Sequence, residues 1–218
     1  KKKAAAEQTT KASKSPAAEV GLPIKDLTVG EFAINNGSIH WIDHSANTRK
    51  ESTAVNLKLK DVSLERPVTL SFSALLDNQP LSIDGTVGPV GKDFKQATIP
   101  LDLDIKALKE MALQLKGKLK NPGAIPGVDM AVEIKAFSPR KLVAALGQEF
   151  PVATSDPDAL GRVALKANLK GDQKKLVISD GILNLDESTF KFSLIASDFS
   201  RPNLTFDFNL DRIDADRY

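Results

Sequence analysis

The feature that most constrains this chain is a period of two. Apolar and polar side chains alternate in segment after segment, the pattern of strands that turn one face to a core and the other to water. Val55, Leu57 and Leu59 alternate with Asn56, Lys58 and Lys60, and Val68, Leu70, Phe72 and Ala74 alternate with Thr69, Ser71 and Ser73. After the turn formers Asp77-Asn78-Gln79 the alternation resumes as Leu81, Ile83 and Val87 against Ser82, Asp84 and Thr86, which predicts a β-hairpin. Leu101, Leu103 and Ile105 oppose Asp102, Asp104 and Lys106; Met111, Leu113, Leu115 and Leu119 oppose Gln114, Lys116, Lys118 and Lys120. Further apolar rows follow at Val128 to Ile134, Val163 to Leu169, Leu176 and Ile178, Leu183 and Leu185, Phe190 to Leu194, and Leu204 to Leu210. About a dozen such segments, separated by turn signals, predict a mainly β fold built as a large antiparallel meander.

One segment breaks the pattern. Ser138 before Pro139, then Arg140 to Leu146 and Gly147, supplies an N-cap, a proline for the first helical position and a glycine past the end. Leu142, Val143 and Leu146 share one face of this short amphipathic helix, a stripe to lay against the sheet. Asp156-Pro157-Asp158-Ala159-Leu160 reads as a second, single-turn helical start. One short helix covers little of so large an apolar face. The meander must therefore fold over as an open sandwich, close as a barrel, or curl into a groove that something else fills.

Composition narrows the function. A 41% hydrophobic content with nearly cancelling charges excludes disorder over the whole of these 218 residues, and the absence of Cys excludes disulfide scaffolds and Cys-ligated metals. The longest charge-free stretches, Phe32 to Ile42 and Val68 to Leu76, fall short of the ~20 apolar residues that cross a bilayer. The net charge of +2 is a property of the leader: residues 1–19 hold five Lys against two Glu, which leaves the remainder at −1. Residues 1–21 read as a solvated linker and 22–218 as one β-rich domain. With Arg only 7 of the 30 basic residues and no basic stretch interleaved with aromatics, nucleic acid is not the expected partner.

Catalytic chemistry finds little footing. The only two His, His40 and His44, flank Asp43, but on a strand residues four apart are about 13 Å apart, too far to share an ion. Asp102, Asp104, Asp207 and Asp211 read as polar-face residues that pair with the lysines around Lys116 and Lys118 rather than as a glycosidase pair. No phosphate-binding or dinucleotide motif is present, and Gly85-Thr86-Val87-Gly88 lacks the spacing. The expectation is a protein that is not an enzyme and holds no metal or cofactor.

The apolar face is left as the candidate site. Leu70, Phe72, Leu81 and Ile83 represent it on the first hairpin, and Leu101, Leu103, Leu113 and Leu115 on the next. Val132 and Ile134 follow, then Phe190, Phe192 and Leu194, and finally Phe206 and Phe208. These rows carry Phe, Leu, Ile and Val without polar handles, as a dry core does and as a wall for acyl chains does. The period leaves both readings open. On the second, Asp or Lys in place of Phe192 or Phe206 blocks the groove.

Several of these segments resemble the AsmA family of bacterial envelope proteins. The match is carried by Asp198-Phe199-Ser200-Arg201-Pro202, Leu204 to Leu210 and the acidic ending Asp211-Arg212-Ile213-Asp214-Ala215-Asp216-Arg217-Tyr218. It is supported by Asn36-Gly37-Ser38-Ile39-His40-Trp41, the strand end Leu59 to Leu64, Ser138 to Leu142, and Asp156 to Gly161. The resemblance implies a periplasmic domain whose inner-membrane anchor lies outside this chain, with phospholipid and envelope assembly proteins as partners. It also implies a part in outer-membrane assembly and lipid homeostasis through a lipid-binding or lipid-transfer groove. The alternative is a scaffolding β-sandwich with a dry core. A unit of this size is too short to bridge the periplasm alone, since tens of strands at ~4.8 Å each would be needed.

Overall fold

The structure, a computed structural model, describes residues 28–43 and 48–218; the linker read at 1–21 and His44 lie outside the described residues. Eleven strands carry the chain: β1 (Thr28–Asp43), β2 (Thr48–Ser63), β3 (Val68–Leu76), β4 (Gln79–Val87), β5 (Thr98–Ala107) and β6 (Met111–Lys120). After β7 (Gly127–Phe137) come the helix α1 (Pro139–Ala145), β8 (Val163–Gly171), β9 (Lys175–Leu185), β10 (Ser188–Ser197) and β11 (Asn203–Leu210). They form one sheet in sequence order, each strand antiparallel to the next. The meander is as expected, and it stays open: β1 and β11 are its two edges. No large side chain among the described residues is fully buried, so the sheet does not fold onto itself around a dry core.

Local chemistry sets the register. Asp77 and Asn78 adopt φ of 48° and 63°, the left-handed pair of a tight hairpin turn, which puts Leu76 opposite Gln79 and Phe72 opposite Ile83. In β9, Ile178 and Leu183 are an odd number of residues apart and would fall on opposite faces of a regular strand. A bulge between them, with Asp180 at φ 52°, returns both to one face.

Successive connections lie at opposite ends of the sheet. One end carries α1, whose N-cap Ser138 accepts the Lys141 amide at 3.3 Å and whose C-terminal Gly147 sits at φ 70°. Gln79 Nε2 donates to the Ala145 carbonyl at 2.7 Å, so the helix reaches back past β6 and β5 to the β3–β4 turn. Leu142 and Val143 are half-buried as expected, whereas Leu146 is the C-cap and is 50% exposed, turned out of the stripe. The second helical start is a correction. At Asp156 the carboxylate accepts the Asp158 amide at 2.8 Å and the carbonyl accepts Ala159 at 3.1 Å, closing a turn instead of a helix.

Candidate functional site

Register gathers the predicted face. Opposed residues of antiparallel strands share a face, and one row runs Ile34, Leu57, Phe72, Ile83, Ile105, Leu113, Ile134, Leu165, Leu183, Phe190, Leu210 across all eleven strands without a polar residue. A parallel row passes through Leu70, Gly85, Leu103, Leu115 and Val132. Leu101, Gly117, Met130 and Leu169 form another, which continues to Ile178, Leu194 and Phe206. Leu81 lies between Ala74 and Ala107, and Phe192 between Gly181 and Phe208. Every residue assigned to the apolar face from the sequence is thus on one face of one sheet.

That face has an edge-to-centre gradient. Phe206 is 74% exposed and Phe208 56% on β11, Phe32 is 48% exposed on β1, and the central residues Leu103, Ile105, Leu113 and Leu115 are half-buried among their neighbours. Glycines shape it at two strands. A Cβ on Gly85 or Gly117 would meet the neighbouring strand's carbonyl oxygen, of Asp102 and Asp129 respectively, so these strands bend more sharply than a side chain permits. The Phe192 ring lies over Gly181, where a Cβ would meet its Cζ at 2.6 Å, and Phe190 stacks at a tilt on Phe208 with centroids 5.5 Å apart. Phe192 therefore fills a sheet position as well as lining the face. A hollow of about 580 Å³ near the helix end takes Leu81 and Met111 from this face but Ser73, Ser82 and Lys106 from the other, so the apolar rows form an open surface rather than an enclosed cavity.

The opposite face is polar and paired. Lys116 lies 2.8 Å from Asp102, Lys166 3.1 Å from Glu133 and Lys58 3.1 Å from Glu31, while Lys120 and Lys170 share Asp129 at 3.0 and 3.8 Å. The hydrogen bond that Lys120 donates holds the Asp129 carboxyl below its ordinary range, and the one that Lys116 donates to Asp102 raises Lys116. The expected pairing of the β5 aspartates holds for Asp102, and Asp104 accepts from Gln114 at 3.3 Å. It fails for the other two. Asp207 faces Ser193 on the far edge of the sheet, and Asp211 follows β11 and accepts the Thr189 amide at 2.8 Å. Four strands lie between β11 and the lysines of β6. His40 sits across from Glu51, its Nδ1 3.5 Å from Oε1.

A second feature went unread in the sequence: a clasp at the helix end. Asp186, the first residue of the β9–β10 turn, accepts the amides of Leu160, Gly161 and Arg162 at 2.8 to 2.9 Å and the Tyr218 hydroxyl at 2.8 Å. Arg217 Nε donates to Asp156 at 2.7 Å, and the Asp156 amide donates back to the Arg217 carbonyl at 3.1 Å. The segment after β11 is thereby tied across β10 and β9 to the start of β8. Burial acts to raise the Asp186 carboxyl, but the Tyr218 hydroxyl and three amides together outweigh it and hold it low. Arg140 joins the same region, donating to Ala159 at 2.7 Å and to Thr154 at 2.5 Å, with its guanidinium 4.7 Å over the Phe150 ring.

No family model, curated protein or solved structure matches the chain.

Proposed function

We propose that this chain is a lipid-binding module that carries acyl chains on the apolar face of its sheet. The observation that supports the reading is the continuity of that face: eleven consecutive strands contribute apolar residues to one side, and among the described residues no second layer covers it with a dry core. Acyl chains need a long apolar surface with few hydrogen-bonding groups, and each methylene removed from water contributes about 0.8 kcal/mol. Headgroups stay in water at the margin. A scaffolding sandwich would keep Phe206 and Phe208 dry, which their exposure disfavours. In line with the AsmA resemblance, we place the module in the periplasm, as part of an inner-membrane-anchored protein that serves lipid homeostasis and outer-membrane assembly, and we assign it no catalytic step.

The test is organic extraction of the purified protein followed by incubation with labelled phospholipid. The wild-type chain should carry phospholipid. Leu115→Asp at the centre and Phe206→Asp at the edge should each lower the bound lipid several-fold while the circular dichroism stays that of a β-sheet, and Phe206→Leu should leave it unchanged. A wild-type protein that is lipid-free and takes up none on incubation refutes the reading.

A further inference from the structure

The two ends of the sheet differ in charge. At the helix end, connections 77–78, 108–110, 138–162, 186–187 and 211–218 hold six basic and ten acidic side chains, a net −4. At the other end, connections 64–67, 88–97, 121–126, 172–174 and 198–202 hold five basic and four acidic. Lys175, the first residue of β9, brings that end to +2, while Lys120 at the end of β6 is already paired with Asp129. The partition runs along the strands, so it orients the whole sheet in an electric field.

The basic end also carries exposed apolar tips. Ile125, on the β6–β7 connection, is 62% exposed, and Phe199, on the β10–β11 connection, is 49% exposed. Between them the β8–β9 turn separates two clefts that share Lys175. One, of about 460 Å³, is lined by Lys120, Ile125, Lys170, Lys175 and Val177; the other by Lys174, Lys175, Ser197 and Phe199. The acid of this turn is exposed and engaged by the backbone: the Asp172 carboxylate accepts the amides of Lys174 and Lys175 at 2.7 and 3.1 Å, which leaves both ammonium groups to the solvent side. Lysines beside apolar tips at the rim of a sheet suit a surface with phosphate outside and hydrocarbon beneath.

We infer that this end docks on an anionic phospholipid bilayer, with Lys174 and Lys175 against headgroup phosphates and Ile125 and Phe199 in the interfacial layer. The inference rests on the proposed lipid-binding function only for what docking accomplishes, which is to set the rim of the apolar face against a lipid source. The docking itself stands on charge and exposure.

The experiment is sedimentation of the full chain with vesicles of phosphatidylcholine alone or mixed with phosphatidylglycerol. Binding is expected only with the mixed vesicles, and each lysine removed near an anionic surface should weaken it about fivefold. Lys174→Gln with Lys175→Gln should therefore lose over an order of magnitude, Phe199→Ser or Ile125→Ser should weaken binding several-fold, and Lys109→Gln with Lys141→Gln at the acidic end should change nothing. The leader's lysines are constant throughout. Equal binding by the wild type and the Lys174/Lys175 variant, or equal binding to both vesicle types, overturns the inference. The two functions separate cleanly: Leu115→Asp should still sediment while losing lipid, and the lysine variant should still take up acyl chains presented in detergent.

Discussion

Asp186 is the residue on which most of the helix end converges, because a single carboxylate satisfies three backbone amides and a phenol that would otherwise lie together near the sheet rim. A hydrogen bond to a charged acceptor contributes a net ~1.5–3 kcal/mol, and bonds that share one carboxylate are not additive, so Asp186→Ala should destabilise the clasp by at least roughly 2–3 kcal/mol and Asp186→Asn by less. The pH dependence follows from the sign of the shifts. Asp186 and Asp156 both titrate below the ordinary carboxyl value of 3.8 in the folded chain, Asp156 chiefly because the Asp158 amide and then Arg217 favour its charged form. Their stabilisation is present above the unfolded value and is lost as the pH falls through the lower, folded values. Tyr218, the only tyrosine, reports from the other side: burial first and the Asp186 hydrogen bond second raise its phenol above 10.0. Ultraviolet titration should find its ionisation late in the wild type and earlier in Asp186→Asn, and coincident curves would show that the clasp does not form in solution.

Elements were legible where a local rule and the global period agreed. The β3–β4 hairpin turns on Asp77 and Asn78 of the predicted Asp77-Asn78-Gln79, with Gln79 already the first residue of β4, and α1 begins at Pro139 behind its Ser138 cap as read. Legibility failed where one extra residue shifts the phase. Leu176 and Ile178 looked like one strand and Leu183 and Leu185 another, because a bulge at Asp180 is invisible to a period of two; only the odd spacing around Ser179-Asp180-Gly181 hinted at it. Phe32 and Ile34 were missed as face residues for the same reason, since the register of β1 shifts at Gly37. The clasp left no trace in any period because it joins residues 24 to 61 apart through side chains and turns. The helix supplies the prediction at this scale. It has no buried residue and is moored by its cap, by Gln79 and by the Arg140 hydrogen bonds to Ala159 and Thr154, so Ser138→Ala should cost about 1 kcal/mol. That loss should appear as faster amide exchange in α1 with the strands unchanged, and equal exchange in the two proteins would show that tertiary contacts alone hold the helix.

At the scale of the molecule, all of the candidate-site residues were legible as one face because strand pairing in sequence order preserves phase from hairpin to hairpin, while the occupant was not, because alternation fixes which side is apolar and not what lies against it. An open face of this kind makes a quantitative demand. A shaped pocket has a best chain length, a dry core has none to offer, and an open apolar surface gains with every methylene laid on it until the surface is used up. The span available is roughly 48 Å across eleven strands at ~4.8 Å spacing, so single acyl chains should not reach that limit. Binding of saturated fatty acids should therefore tighten about fifteenfold for each two carbons added, at ~0.8 kcal/mol per methylene, and should respond little to the headgroup. Because ligand that binds the folded state alone raises stability by mass action, the same series should raise the melting temperature in step at fixed free ligand. Displacement of a fluorescent acyl probe measures the first quantity and thermal unfolding the second. An optimum at one chain length would replace the open face with a shaped pocket, and no dependence on chain length in either measurement would mean that acyl chains do not occupy the sheet.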